Sequence, residues 1–237
     1  MNILNKPDNK TEVKQKSNIW NKIKHCRILS LAGIIGPFAF LAILLALDII
    51  QWQSLPVLSR VSDLVHGEMG WLQTASFVLI GVCLIIFVMK LYSLTHRKIS
   101  SLTGSSFFGI TSFGFVALAA FPSQIESIGL SIEGLIHNSI AGIISASFII
   151  GCIAFAHHFR KDPHWRPYWI YTVLTVILCL TFAVSWGVAP ESHLQAISER
   201  LLLISGFIWM LVISIKLIRS HKTHQPVPVR VEENDNY

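Results

Sequence analysis

Charged side chains are scarce in this sequence. Asp, Glu, Lys and Arg make up 14% of its 237 residues, against about 25% in an ordinary soluble domain. So little charge cannot cover a water-facing globule of this size, which argues against a soluble fold. Cysteine is also sparse. Cys26, Cys83, Cys152 and Cys179 fall at no metal-ligand spacing, and a disulfide framework is not expected. There is no Walker A loop, no dinucleotide-binding glycine pattern, no nucleophile elbow and no His-Glu-x-x-His pair. No cofactor is expected.

Apolar residues occupy the space that charge leaves. They make up 52% of the chain, and mean hydropathy is +0.57. They come in blocks rather than at alternating or helical spacing. Runs of about 18 or more apolar residues read as membrane spans. In lipid the backbone must satisfy its own hydrogen bonds, which leaves helices or closed barrels. These runs are too long for barrel strands. The expected fold is therefore all-α: a polytopic six-helix transmembrane bundle. The spans are placed at 28–50, 71–92, 103–121, 135–156, 168–187 and 201–218. The first is too long for a signal-peptide core and reads as an uncleaved span. Three regions follow: a basic cytoplasmic tail over 1–27, a transmembrane domain over 28–218, and a disordered cytoplasmic tail over 219–237.

The formal net charge of +6 has a topological explanation. Seventeen of the 19 Lys and Arg residues fall in the tail through Arg27, after span two, after span four, and from Lys216 onward. Arg60 and Arg200 are the two exceptions. Cytoplasmic loops retain Lys and Arg, so both termini are expected inside, in the cell membrane. The bilayer is the expected partner, with anionic inner-leaflet lipids drawn to the basic tail around Ile19, Trp20 and Ile23. Nucleic acid is not. Trp52, Trp71 and Trp186 are expected at the outer interface, and Trp165 and Trp169 at the inner one. Pro37 should kink span one. Ser105, Gly109, Ser112 and Gly114 in span three, with Gly142 and Ala146 in span four, read as close helix packing inside the bundle, a homodimer face being their other use.

The ionisable residues that remain gather at the outer ends of the spans. The candidate polar cluster is Ser62, Asp63, His66, His137, Glu199 and Arg200. If the stretch around Asp63 is α-helical, Ser62 and His66 stand one turn apart, and Asp63 and His66 lie on neighbouring faces. Glu133 and His137 have the same four-residue spacing. Ser198 reads as the N-cap of span six, with Glu199 favoured by the helix dipole and Arg200 opposed by it. Arg200 then needs an anion, and Asp63, at the same depth, is the first candidate. His66, His137 and Asp63 are weak candidates for a metal such as zinc, or for acid and base.

Several short motifs resemble the domain-of-unknown-function 998 family. They are Gly33-Ile-Ile-Gly36-Pro37, then Ser62-Asp63-Leu64, then Gly70-Trp71-Leu72-Gln73 running on to Gly81. Phe121-Pro122, Gly134-Leu135-Ile136-His137-Asn138, and Glu199-Arg200-Leu201 with Trp209 complete the set. The resemblance implies a multi-pass bundle with these landmarks, not a reaction. One departure stands out. An Asp often follows the Phe-Pro pair in that family, whereas Ser123 and Gln124 stand here, with Glu126 the nearest carboxylate.

Three function classes fit this pattern. The first is a non-enzymatic membrane protein whose polar residues hold the helices in register. The second is an enzyme acting on a lipid or headgroup at the outer interface, with Arg200 holding an anion and a histidine as base. The third is a small-molecule transporter, disfavoured because the span centres carry almost no ionisable residue.

Overall fold

The computed structural model describes residues 28–52, 59–95, 98–123, 131–189 and 192–222. The basic tail, the C-terminal tail beyond Lys222, Glu126 and Glu191 lie outside these residues, and 219–222, expected in that tail, continue α6. Six helices are long and apolar enough to cross a membrane. They are α1 (Ala32–Ile50), α2 (Trp71–Leu94), α3 (Ile99–Leu118), α4 (Ile132–Lys161), α5 (Trp169–Val188) and α6 (Ser192–Lys222). Among the described residues there is no strand. A short 3-10 helix, Val61–His66, lies between α1 and α2. Each helix packs on the next in sequence, and α6 returns to pack on α1. Two poles result, called here the Arg60 end and the Arg160 end.

The spans extend beyond the apolar runs wherever polar residues can still serve a helix. Ser131 caps α4, accepting the Gly134 N–H at 3.0 Å, and His158, Arg160 and Lys161 close its last turn, where cations suit the dipole. Within the helices, hydroxyls bond back to the preceding turn. Thr111 donates to the Phe107 carbonyl at 3.1 Å, Ser145 to Ala141 at 2.9 Å and Thr175 to Tyr171 at 3.1 Å. In these three the hydroxyl hydrogen is thereby paired within its own helix. α1 runs continuously through Pro37.

Small residues do set the closest helix approaches, but partly on a different face from the expected one. Gly109 and Gly142 face open space. The tight α3–α4 contact is made by Gly104 and Gly151, a side chain on either of which would collide with Phe155 or Phe108. Thr111 and Ser147 bridge the same two helices at 2.9 Å. Gly114 lies against Ile144 and Gly81 against Ser112, whose hydroxyl donates to the Gly81 carbonyl at 2.5 Å. At Gly70 any side chain would meet the Val65 carbonyl. The chain needs that close approach to turn from the 3-10 segment into α2, and Met69 just before it takes a left-handed φ of 58°.

The half of the core toward the Arg160 end is filled with aromatic rings. Trp209 is fully buried there. Its ring lies 5.2 Å from Phe108, 6.0 Å from Phe87 and 6.0 Å from Phe148, and its Nε1–H donates to Thr172 Oγ1 at 3.0 Å. Trp165, expected as an interface anchor, is buried instead and stacks on Phe159 at 4.8 Å. Lys216 lies 5.9 Å from the Trp165 ring and 5.8 Å from the Tyr168 ring, a cation–π contact that holds the end of α6 to the α4–α5 connection.

Candidate functional site

The Arg60 end is held by hydrogen bonds between segments distant in sequence. Two arginine–carboxylate pairs dominate. Arg60 binds Asp63 in a two-pronged contact, Nε to Oδ2 and Nη2 to Oδ1, both at 3.0 Å. Arg200 binds Asp48 the same way, at 2.8 and 2.9 Å, and also donates to the Ser59 carbonyl at 2.9 Å. The partner expected from the sequence was Asp63, so this is a correction. The 3-10 segment explains it. With three residues per turn, positions i and i+3 eclipse, which aligns Arg60 with Asp63 and closes that carboxylate to Arg200. The same geometry separates Ser62 from His66, which an α-helix would have stacked.

The start of α6 is a second correction. The helix begins at Ser192, so Ser198, Glu199 and Arg200 lie inside it rather than at its cap. Ser198 pairs with Ser185 of α5 at 2.8 Å. Arg200, clear of the first turn, meets no dipole penalty there. Glu199, next to it on a different face, accepts the Val61 backbone N–H through Oε2 at 2.9 Å. One turn of α6 thus holds both α1 and the 3-10 segment.

The two histidines close the α3–α4 connection. His66 Nε2 lies 2.6 Å from the Ser123 carbonyl. A carbonyl can only accept, so that nitrogen carries the hydrogen. The Ser123 hydroxyl donates to the Ser62 carbonyl at 2.9 Å. His137 Nδ1 lies 2.6 Å from the Phe121 carbonyl, so Nδ1 is its protonated nitrogen. Gln51 donates to the carbonyls of Leu64 at 3.1 Å and Glu68 at 2.7 Å, stitching the end of α1 to the same segment. Sequence reasoning missed Asp48, Gln51 and Ser123. Asp48 lies within the first apolar run, and a lone carboxylate in such a run of sequence is a signal that could have been followed.

Among the described residues, no three His, Cys, Asp or Glu side chains come together to hold a metal ion. The weak metal candidates His66, His137 and Asp63 each have the partner named above. Cys83, Cys152 and Cys179 are free and buried.

A cleft lies inside this scaffold. Its upper part, about 570 Å³ including the portion open to solvent, has Arg60, Ser62, His137, Asn138, Trp186 and Glu199 in its wall. A second part, about 450 Å³ again including space open to solvent, is lined almost entirely by apolar groups, among them Ile80, Leu84, Phe148, Gly206, Phe207 and Met210. The two share Phe115, Ile144, Ser145, Leu202 and Leu203 as wall residues. From Glu199 to Met210 is eleven residues of helix, about 16 Å of depth. Phe148, one of the rings around Trp209, lies in the wall of the deeper part.

Six membrane-length helices in one bundle, polar at one pole and apolar along their outer faces, make this a multi-pass integral membrane protein. The chain belongs to the family described as protein of unknown function DUF998, whose sequence profile matches residues 34–216. No curated protein and no solved structure matches it.

Proposed function

We propose that this protein holds a lipid-like amphiphile in the cleft, with the polar end at Arg60, His137 and Glu199 and the apolar end toward Phe207 and Met210. The observation that carries this reading is the change of lining along one cleft. Arg60, His137, Glu199, Ser62 and Asn138 interrupt an otherwise apolar wall at the mouth, whereas the deeper part is lined almost entirely by aliphatic and aromatic groups. Ligand sites combine an apolar wall with a few placed polar groups in this way. Of Asp63, His66, His137 and Arg200, the residues on which a headgroup enzyme would draw, His137 is the one in the cleft wall. Binding is thus better supported than catalysis. Transport is supported least, because the Trp209 cluster fills the bundle beyond the cleft.

Filling the cleft tests this reading. Leu203 borders both parts. Leu203→Trp should leave the protein folded and displace lipid that co-purifies with the wild type in mild detergent, as read by native mass spectrometry. Equal lipid occupancy in wild type and variant would remove the proposal.

The proposal includes an orientation in the cell membrane. Both termini are cytoplasmic and the Arg60 end faces outward, supported by the clustering of Lys and Arg in the opposite segments. A phosphatase active only outside the cytoplasm should show no activity when fused after Tyr237. The same enzyme inserted between Pro190 and Glu191 should be active. The reverse pattern would invert the topology.

A further inference from the structure

We propose that the amphiphile carries an ammonium group as its polar end. This rests on the amphiphile reading above and adds the chemistry of the headgroup. Three groups in the cleft wall, His137, Glu199 and Ser145, offer acceptors with unused bonding capacity, beside donors on Asn138 and Trp186. His137 is 2% exposed. Its Nδ1–H is engaged by the Phe121 carbonyl, and Nε2 has no hydrogen-bond partner among the described residues. In the neutral ring, Nε2 is a lone pair without a hydrogen. Glu199 uses Oε2 to accept from Val61, which leaves Oε1. Ser145 gives its hydroxyl hydrogen to Ala141, so it too offers a lone pair. All three line the same cleft.

Charge points the same way. Among the described residues, the arginines around the mouth are Arg60 and Arg200, and each is clasped by a carboxylate, Asp63 and Asp48. Glu199 is a third carboxylate, so with Glu199 ionised the group of five carries one negative charge in excess. A carboxylate withdrawn from water without a counter-ion is costly. An ammonium brings both the missing charge and three donors for the waiting acceptors. At His137, Glu199 and Ser145 a phosphate or carboxylate headgroup would set acceptor against acceptor, and beside an ionised Glu199 anion against anion.

The test uses the full chain in phosphatidylcholine nanodiscs and three alkyl probes of equal chain length, bearing an ammonium, a phosphate or a glucoside. The ammonium probe should bind about tenfold more tightly than either of the others, a difference well resolved in dissociation constants. Glu199→Gln, which keeps an oxygen for the Val61 N–H, should abolish that preference and leave the glucoside probe unchanged. A phosphate or glucoside probe that binds wild type as tightly as the ammonium probe overturns the proposal, and no variant is needed to see it. So does an ammonium preference that survives Glu199→Gln. If none of the probes binds, or if Leu203→Trp leaves all three bound as in wild type, the failure lies with the amphiphile reading itself.

Discussion

Replacing Trp209 with alanine should destabilise the bundle by about 3–5 kcal/mol, the range for large aromatic truncations in packed cores. The indole is fully buried and touches rings from three other helices: Phe87 of α2, Phe108 of α3, and Phe148 and Phe155 of α4. In a bilayer the hydrophobic effect does little to hold one helix to another, since lipid tails are as apolar as the side chains, and packing contacts carry that role. Deleting the ring removes those contacts with nothing to replace them. It also leaves Thr172 Oγ1 without its donor. Trp209→Phe should be much milder, losing chiefly one neutral hydrogen bond worth about 1 kcal/mol. Reversible unfolding in mixed micelles measures both. A cost below about 1 kcal/mol for the alanine variant would show that the cluster is not the packing centre.

Asp48→Ala should cost about 2 kcal/mol, between the values for exposed and for buried ion pairs. The placement is intermediate because Arg200 is 13% exposed while Asp48 is 36% exposed. Most of that cost is the charge stranded on Arg200, which keeps the Ser59 carbonyl as an acceptor but loses its counter-ion. The consequence can be checked in a double-mutant cycle. Arg200→Met in the Asp48→Ala background should restore stability, because it removes the stranded charge and keeps a similar apolar stem. Additive losses from the two substitutions would contradict the pairing. Asp63→Ala should show no such coupling to Arg200, since its partner is Arg60.

The two variants probe parts of the molecule that differed in legibility. Six apolar runs were read as six helices, and α2 begins at Trp71 as placed. The residues of the polar cluster were also legible as a set, because ionisable side chains are conspicuous among apolar ones. Their partners were not. Arg200 and Asp48 are 152 positions apart, and they meet because α6 closes the ring onto α1. Asp63 looked equally good by depth. It is occupied by Arg60 through a 3-10 turn that composition does not announce. Gly109 and Gly142 matched the small-residue pattern, yet they face away from neighbouring helices.

The landmarks at Gly33, Gly36, His137 and Trp209 gain a physical meaning from their surroundings. Gly33 and Gly36 admit Phe87 and Cys83 of α2 against α1. His137 closes the α3–α4 connection on one side and presents a lone pair to the cleft on the other. Trp209 fills the core beside that cleft.

The sequence by itself determined that this protein is an all-α membrane bundle, how many helices cross, and at which end the unusual polar residues gather. Each of those follows from sums taken along one segment at a time, since hydropathy and local charge do not depend on neighbouring helices. Only the tertiary structure decided which carboxylate neutralises Arg200, which glycines meet a neighbouring helix, and that His137 and Glu199 share a wall with an apolar cleft. Those depend on rotation of each helix about its axis and on which helices touch. Both are set by packing among all six spans at once.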